Sequence, residues 1–295
     1  MTHRCGIVAI VGRANVGKST LLNRLLGQKL SITSRKPQTT RHQILGIYTE
    51  QRGQLMFVDT PGWQRRPGSR LNRLMNKQVR MALSDVDCVV QLADARNWID
   101  DDERVHDLYR EFDCPRILAL NKQDLVNDKS TLLPLLTTLS EQMAFDEFIP
   151  LSARSGRGLD DFLDLLFARM PERPALYPED QITDRSERFY AAELVREKTL
   201  RFLGDELPYR TTVIVDSYED TESLTRIEAT LWVDRDSQKA IVIGKGGSLL
   251  KRISTDARQD LERNLGRKVY LRLWVKTKKG WTDSSDALQS IGLTE

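Results

Sequence analysis

Apolar and polar positions alternate in blocks over the first 170 or so residues of the chain. A continuous β-branched run at 7–11 (IVAIV) is typical of a strand buried on both faces of a sheet. Similar runs recur within 54–63, 84–95, 117–124 and 149–156, and segments with helical spacing occupy 101–112 and 159–171. Strands that alternate with helices predict an α/β domain whose mostly parallel sheet carries helices on both faces.

The pattern changes after Pro171. Residues 172–186 contain two further prolines and predict a linker. Beyond it the pattern predicts a helix at 187–203 with Ser186 as N-cap, strands at 210–219 and 224–234, a short helix at 236–243, a helix at 248–265 and a strand at 268–276. We therefore predict a first domain over 1–171 and a smaller α+β domain over 187–295, which includes a C-terminal tail.

The first strand runs directly into a glycine-rich turn, GRANVGKS (12–19), and then into an apolar helix. Strand, G-x-x-x-x-G-K-S and helix in this order predict a phosphate-binding P-loop, because the glycines let successive backbone N–H groups point at phosphate oxygens. The lysine then reaches the β- and γ-phosphates. The phosphate-binding residues predicted from the sequence are Gly12, Asn15, Val16, Gly17, Lys18, Ser19, Thr20 and, further along the chain, Gly62.

Two later strand ends indicate which base is bound. Asn121, Lys122 and Asp124 stand in an NKQD sequence after one apolar run, and Ser152 and Ala153 follow another. A carboxylate such as Asp124 can accept two hydrogen bonds from the N1–H and N2–H₂ edge of guanine, whereas adenine leaves it unpaired. The Lys122 stem can lie along the base, and a backbone N–H near Ala153 can meet guanine O6. The motifs together predict a guanine-nucleotide site.

The run at 54–63 ends in Asp59, Thr60, Pro61 and Gly62. Asp59 is placed to hold Mg²⁺ through water, and Ser19 donates its hydroxyl to the same ion. A threonine of the preceding KPQTTRHQ segment (36–43) completes the set of Mg²⁺-binding residues, and we favour Thr40 over Thr39. We expect the nucleotide-sensitive switches at about 31–43 and 59–75.

A second glycine turn stands near the C-terminus, in VIGKGGSLLKRI (242–253). Residues 239–279 hold twelve Lys or Arg and three Asp or Glu, although the whole chain carries only +3. Such a basic folded segment suggests a polyanion, while a solvated helix face and a plain glycine cap between two helices are the structural alternatives. Because glycines admit a sugar–phosphate backbone closely, we predict RNA contacts at Gly244, Lys245, Gly246, Gly247, Lys251 and Arg252.

Several motifs of this chain match one known family: the P-loop with its asparagine, KPQTTRH, DTPG, NKQD and SAR, followed by VIGKGGSLLKRI. They resemble the Era family of bacterial ribosome-assembly GTPases, and the resemblance covers nearly the whole chain. Stretches at 178–189, 202–209 and 273–281 also match. The resemblance implies GTP hydrolysis with Mg²⁺, a type II KH domain that binds small-subunit (16S) rRNA near its 3′ end under the control of GTP, and a role in assembly of the 30S subunit. It also implies peripheral association with the inner membrane.

Ras-like GTPases place a water-orienting glutamine where this chain has Trp63, so we expect slow intrinsic hydrolysis. In GTPases similar to this one, an asparagine at the position of Asn15 helps to hold K⁺ against the phosphates, so K⁺ stimulation is a hypothesis. The alternative is that Asn15 merely caps the turn. Ala14 stands where proline is common in the family.

We expect a cytosolic protein, because the three cysteines lack CxxC spacing and no apolar run resembles a signal peptide or reaches the length of a membrane span. An RNA-modifying enzyme is disfavoured, because all three histidines and all three cysteines precede residue 115. The alternative function is a signalling GTPase that acts through protein effectors in cell-cycle or growth control.

Overall fold

The structure is a computed structural model that describes residues 3–34, 36, 38–64, 67–126, 130, 132–204, 207–221 and 223–294. Residues 35, 37, 65 and 66 of the predicted switches, and residues 205 and 206 of one stretch quoted for the resemblance, lie outside the described residues. The chain divides into two compact units. The first comprises 1–31, 40–67 and 75–184, and the second comprises 32–39, 68–74 and 185–295.

The first unit is built on a six-stranded sheet. Its strands are β1 (Arg4–Val11), β2 (Ile44–Glu50), β3 (Gly53–Asp59), β4 (Cys88–Asp94), β5 (Arg116–Asn121) and β6 (Glu147–Pro150). The helices of this half of the chain are α1 (Lys18–Leu25), α2 (Arg70–Met81), α3 (Asp100–His106), α4 (Leu132–Gln142) and α5 (Leu159–Arg169). Every residue of β3 and of β4 is buried, as the continuous apolar runs predict.

The strand order is β2-β3-β1-β4-β5-β6, with parallel pairing from β3 through to β6. β2 was not among the predicted strands, and it pairs antiparallel with β3 as a hairpin. Only two residues separate these strands, so a tight turn is sufficient to connect them. The carboxyl ends of β1, β3, β4, β5 and β6 meet at one edge of the sheet, because these five strands are parallel.

Two predicted elements are shorter than expected. The strand predicted within 84–95 is confined to β4, and the helix predicted over 101–112 ends at His106. Around His106 several backbone hydrogen bonds join residues three apart, for example from the Tyr109 N–H to the His106 carbonyl, although the Arg110 N–H still bonds the same carbonyl across four residues. This tighter turn takes the Tyr109 side chain into the core, where it is fully buried.

The proline-containing segment after α5 lies against the first unit up to residue 184. The Gln54 side chain bonds the backbone of Leu176 and Tyr177, and Ile47 N–H donates to the Ile182 carbonyl at 2.8 Å. These bonds satisfy backbone groups that a free linker would leave to water.

The second unit has helices α6 (Glu187–Phe202), α7 (Asp236–Ile243), α8 (Ser248–Leu265) and α9 (Ser285–Ser290). Its strands are β7 (Thr211–Asp220), β8 (Leu224–Val233) and β9 (Lys268–Thr277). The predicted α-β-β-α-α-β order is confirmed, and so is Ser186 as N-cap, since its hydroxyl accepts the Phe189 N–H. The sheet order is β7-β8-β9, with β8 and β9 parallel, and the apolar core lies between this sheet and α6, α7 and α8. No described helix is long and apolar enough to cross a membrane.

Candidate functional site

The turn after β1 has the backbone shape that its glycines predict. Gly12 and Gly17 have φ of 150° and 108°, and Asn15 is left-handed at 64°. A Cβ on Gly12 would lie 2.4 Å from the Leu92 carbonyl oxygen, and one on Gly17 would lie 2.3 Å from Asn121 Nδ2. A side chain at Gly12 would force the backbone at Leu92 to move, and one at Gly17 would displace the Asn121 side chain, because a real Cβ does not approach other atoms so closely.

Lys18 begins α1 and points back across the turn. Its Nζ donates to the carbonyls of Gly12 at 2.9 Å and Arg13 at 3.1 Å. The side chain is only 6% exposed, and this burial lowers the pKa of Lys18 to about 8, although the nearby Asp59 carboxylate opposes the shift. A second anion in the turn would favour the charged form further.

The three residues predicted to form the metal set meet at one point. Ser19 Oγ lies 2.8 Å from Thr40 Oγ1 and donates to Asp59 Oδ2 at 2.7 Å, and Ser31 Oγ donates to the same carboxylate oxygen at 2.9 Å. The other oxygen, Asp59 Oδ1, is buried without a hydrogen-bond partner among the described residues. Burial raises the pKa of Asp59, while Lys18 acts in the opposite direction. Ser31 therefore belongs to this cluster, although it was not among the site residues predicted from the sequence.

The preceding residue, Thr39, is not part of that cluster. Its hydroxyl donates to the Lys36 carbonyl at 2.6 Å, and its own carbonyl accepts from the Arg196 guanidinium of α6. Thr33 N–H donates to Glu197 of the same helix at 3.2 Å. Residues 32–39 accordingly belong to the second unit, whereas Thr40 belongs to the first.

The predicted base-binding residues form a hydrogen-bonded group at the ends of β5 and β6. Asn121 donates to the Val16 carbonyl at 2.7 Å and accepts from Ala153 N–H at 2.9 Å. Ser152 Oγ donates to Asp124 Oδ1 at 2.6 Å, which fixes one oxygen of that carboxylate. The group is therefore preorganised by bonds within the protein.

Lys122 contacts both the phosphate turn and a residue that the sequence analysis missed. Its Nζ donates to the Asn15 carbonyl at 2.7 Å and to Asp94 Oδ2 at 2.9 Å. Burial alone would raise the pKa of Asp94, but hydrogen bonds from Arg96 and Lys122 hold it well below its usual range. Asp94 ends a buried strand, as Asp59 does, so the same strand-end signal could have indicated it.

Trp63 packs beside an apolar cluster that includes Val11 and Val79, and the Arg80 guanidinium lies 5.6 Å from its ring centroid. Gln64 exchanges backbone hydrogen bonds with the Asn76 side chain, at 3.1 and 2.8 Å. A Cβ on the neighbouring Gly62 would lie 3.1 Å from Ala14 Cα, so this segment passes close to the phosphate turn.

The second glycine turn joins α7 and α8 in the second unit. Gly244, Gly246 and Gly247 all have positive φ, at 73°, 60° and 78°. A Cβ on Gly246 or Gly247 would meet nothing within 4 Å in the described part of the chain, and Lys245 is exposed. Lys251 and Arg252 are also exposed, on the first turns of α8, where Arg252 lies 4.4 Å from the Phe202 ring centroid. The turn therefore presents its main chain and three cations to solvent.

Comparison with known proteins places both units in known families. The 50S ribosome-binding GTPase family matches residues 7–122, and the KH domain family matches residues 206–282. GTPase Era of Ectopseudomonas mendocina (strain ymp) is 52% identical over 289 residues, which cover 98% of this chain and 97% of that protein. GTPase Era of Yersinia pestis (strain Pestoides F) is 50% identical over 292 residues, which cover 99% of this chain and 96% of that protein.

Solved structures agree with the family comparison. An Aquifex aeolicus Era variant bound to GDP.AlF4⁻ superposes with a TM-score of 0.96 at 36% identity, and covers 99% of this chain and 100% of that one. Era in complex with MgGDPNP and nucleotides 1506–1542 of 16S ribosomal RNA gives the same values.

The fold and the phosphate turn define a P-loop GTPase domain, followed by a KH domain of the α-β-β-α-α-β order. The chain belongs to the GTPase Era family, which confirms the resemblance in its sequence motifs.

Proposed function

We propose that this chain hydrolyses GTP in its first unit and binds the 3′-terminal region of small-subunit rRNA through its second unit, in assembly of the 30S subunit. The observation that carries the proposal is the convergence of Ser19, Thr40 and Asp59 beside the buried Lys18, in a chain whose other glycine turn is open and basic. We also propose residues 1–171 as the G domain, 172–186 as the connection and 187–295 as the RNA-binding domain with its tail.

In the proposed site the turn from Gly12 to Thr20 surrounds the phosphates with backbone N–H groups. Lys18 gives up its bonds to the Gly12 and Arg13 carbonyls and turns to the phosphate oxygens, which favour its charged form. The Gly62 N–H touches the γ-phosphate, so the 59–64 segment responds to its presence.

The chemistry of the residues around Asp59 fits Mg²⁺. Two hydroxyls and a carboxylate are hard oxygen donors, and the unpartnered Asp59 Oδ1 is a buried acceptor that a cation would satisfy. Ser19 and Thr40 would bind the ion, and Asp59 would hold its water. When bound, Mg²⁺ neutralises charge on the β- and γ-phosphate oxygens.

Guanine recognition is assigned to Asp124, with Lys122 beneath the base and Ala153 N–H or a neighbouring amide at O6. One Asp124 oxygen already accepts from Ser152, which aims the carboxylate toward the base edge. Asn121 connects the phosphate turn to the 152–153 loop, because it bonds both Val16 and Ala153.

Hydrolysis in this site proceeds without a glutamine at position 63. The Trp63 ring packs on apolar side chains, so it can exclude water but cannot orient it. We propose that K⁺ beside Asn15 supplies positive charge to the phosphates, and that turnover is faster in K⁺ than in Na⁺. Equal turnover in the two salts, at matched ionic strength, would leave Asn15 as a turn residue only.

The second unit is assigned to single-stranded RNA. The open turn at Gly246 and Gly247 lets a sugar–phosphate backbone approach the main chain, and Lys245, Lys251 and Arg252 provide charge. The relative crystallised with 16S nucleotides 1506–1542 supports the choice of RNA. A cytoplasmic location with peripheral membrane association stays a prediction.

We further propose that GTP controls RNA affinity through the segment 32–40. Thr40 bonds the nucleotide cluster in the first unit, whereas the adjacent Thr39 bonds Arg196 of α6 in the second. A rearrangement of Thr40 on loss of the γ-phosphate would therefore be transmitted along the backbone to α6. A signalling GTPase with protein effectors remains the alternative function.

Two variants test the two assignments against each other. Asp124→Ala should weaken GTP binding and leave RNA affinity unchanged, whereas Lys245→Glu should do the opposite. Binding of labelled GTP and of a 3′-terminal small-subunit rRNA oligonucleotide would be measured for both variants at fixed salt. If native protein binds GTP but no RNA in any nucleotide state, the ribosomal function is wrong and the signalling alternative gains support.

A further inference from the structure

The sheet of the second unit has one face in the core and one face toward solvent. Along β9, Val269, Leu271 and Val275 are buried against the helices. The alternate positions lie on the opposite face, since successive side chains of a strand point in opposite directions. In chain order these positions are Lys268, Tyr270, Arg272, Trp274 and Lys276. Cations and aromatic rings therefore alternate strictly along the whole outward side of the strand.

The neighbouring strand extends this pattern. Trp232 of β8 lies opposite Lys276, and Arg226 lies opposite Tyr270. Facing residues of paired strands share one face of the sheet. We call the five outward residues of β9, together with Arg226 and Trp232, the outer sheet face.

The rings of this face are in direct contact with cations. The Arg272 guanidinium lies 4.7 Å from the Trp274 ring centroid, and Lys278 Nζ lies 3.8 Å from that of Trp232. Tyr270 is 48% exposed, and Arg226 and Lys276 are also exposed. Tyr270 is therefore the ring of this face that is open to a stacking partner, whereas Trp232 and Trp274 are partly buried.

The charge of the face favours an anionic partner. Its members include four cations, and Glu228 is the acid beside them, 4.0 Å from Arg272. On β7, Glu219 lies directly opposite Arg226, and Asp216 accepts a hydrogen bond from the Thr230 hydroxyl of β8 at 2.7 Å, so the acids lie along β7 and β8. The positive potential is therefore concentrated on β9, the edge strand.

The spacing matches one chemical class of partner. Alternate residues of a strand lie roughly 6.6 Å apart, so the five outward residues of β9 extend over roughly 26 Å. A stretched single-stranded nucleic acid likewise repeats a flat base and an anionic phosphate along its length. Aromatic side chains stack on unpaired bases and cations pair with phosphates in sheet surfaces that bind single strands. Duplex RNA hides its base faces and would use only the cations.

We infer that the outer sheet face binds single-stranded RNA, as a second surface separate from the glycine turn between α7 and α8. This inference rests on the proposed RNA-binding function and extends it. The glycine turn would clamp about four nucleotides, and the outer sheet face would hold a further part of the same strand.

The test compares a short and a long RNA on the full-length chain. The short RNA has about four nucleotides and fits the glycine turn alone, and the long RNA has about sixteen. Tyr270→Ala removes one stacking ring, and Tyr270→Phe is its matched control because it keeps the ring. Dissociation constants would be measured by fluorescence anisotropy at one fixed salt concentration.

We expect Tyr270→Ala to weaken binding of the long RNA about tenfold and to leave the short RNA unaffected. Tyr270→Phe should bind both RNAs as the native chain does. Arg272→Glu should also weaken the long RNA selectively and reduce the salt dependence of its binding.

Three results would overturn the inference. Native-like binding of the long RNA by Tyr270→Ala and Arg272→Glu would show that the face does not contact RNA. An equal loss for both lengths would show that these residues only support the fold of the domain. Binding of poly-glutamate that Arg272→Glu abolishes and Tyr270→Ala does not change, with RNA binding unaffected, would assign the face to an acidic protein.

Failure of the proposed function gives a different result. If the native chain does not bind the short RNA, while binding of the long RNA still depends on Tyr270, the glycine turn is wrong as an RNA site and the outer sheet face stands.

Discussion

The two glycine turns of this chain contain similar residues but differ in what surrounds them. In the first turn, a Cβ at Gly12 or Gly17 would collide with Leu92 or Asn121, and Lys18 is almost fully buried. In the second, a Cβ at Gly246 or Gly247 would meet no described atom within 4 Å, and Lys245 is exposed.

This difference explains how one chain can bind two phosphate-containing ligands, GTP and RNA, each at its own turn. A turn enclosed by protein on several sides suits a compact ligand whose every group is recognised, such as a nucleotide. An open turn suits a polymer that must enter and leave along its length. Glycine serves the first turn by leaving space for neighbouring protein atoms, and Gly244 does the same beside Leu249. At Gly246 and Gly247 of the second turn, it leaves space for the ligand.

The largest expected effect comes from a side chain in the enclosed turn. Gly12→Ala places a Cβ against the Leu92 carbonyl, which is backbone of a buried strand and cannot move aside. We expect GTP turnover to fall by about 100-fold or more, because the phosphate groups are displaced from their productive position. Gly246→Ala is the matched control in the open turn and should hydrolyse GTP as the native chain does. Similar turnover of both variants would contradict the contrast between the turns.

The next largest expected effect is a loss of selectivity for guanine over adenine nucleotides. Asp124→Ala removes a charged acceptor, for which hydrogen bonds are worth about 1.5–3 kcal/mol. We expect affinity for GTP to fall about 10- to 150-fold, while the much weaker binding of ATP stays the same. Competition of unlabelled GTP and ATP against a fluorescent GDP would measure this ratio. An unchanged preference for GTP would remove Asp124 from the site.

A variant of Asp94 tests whether the enclosed turn depends on the ion pair between this buried carboxylate and the partly exposed Lys122. Because the folded-state pKa of Asp94 is depressed, its carboxylate stabilises the fold above about pH 4 and loses this effect as the pH falls further. Asp94→Asn should reduce stability by about 1.5–3 kcal/mol at pH 7. The difference in unfolding free energy between this variant and the native chain should shrink below pH 4, and urea denaturation would measure it. Asp107→Asn, at an exposed ion pair, should change stability little at any pH.

The open turn should respond to charge rather than to space. Lys245→Glu should weaken binding of single-stranded RNA about tenfold and lower the salt dependence, since one phosphate contact is lost. Lys77→Glu makes the same change at an exposed position of α2 and should leave RNA affinity close to native. If both variants lose affinity equally, net charge and not the turn controls RNA binding.

The smallest effect should distinguish two adjacent threonines. Thr40→Ala removes a hydroxyl that touches Ser19, so the Mg²⁺ concentration needed for half-maximal hydrolysis should rise about 2- to 12-fold. Thr39→Ala removes a hydroxyl that bonds the Lys36 carbonyl and should not change the Mg²⁺ requirement. An equal shift in both variants would place the metal elsewhere.

Sequence alone predicted the parts of this molecule whose structure depends on residues close together along the chain. The turn at Gly12–Ser19, the NKQD segment and the helices on either side of Gly244 are each defined by short spacings. The order of elements in the second unit follows from periodicity in the same way, and it is confirmed.

Contacts between distant residues could not be predicted in this way. The pairing of β2 with β3 is a local exception, because only two residues separate these strands; it was missed because no strand was predicted at 44–50. The ion pair of Asp94 with Lys122 joins two strand ends that are 28 residues apart. The bonds of Thr33 and Thr39 to α6 span more than 150 residues, so no local pattern indicates them.

The proposed control of RNA binding by GTP runs from the enclosed turn through residues 32–40 to the second unit, which carries the open turn. Its most direct test is the affinity of the full-length chain for a 3′-terminal small-subunit rRNA oligonucleotide, measured at fixed salt with a non-hydrolysable GTP analogue and again with GDP. We expect tighter RNA binding in the presence of the analogue. Equal affinity in the two nucleotide states would contradict it.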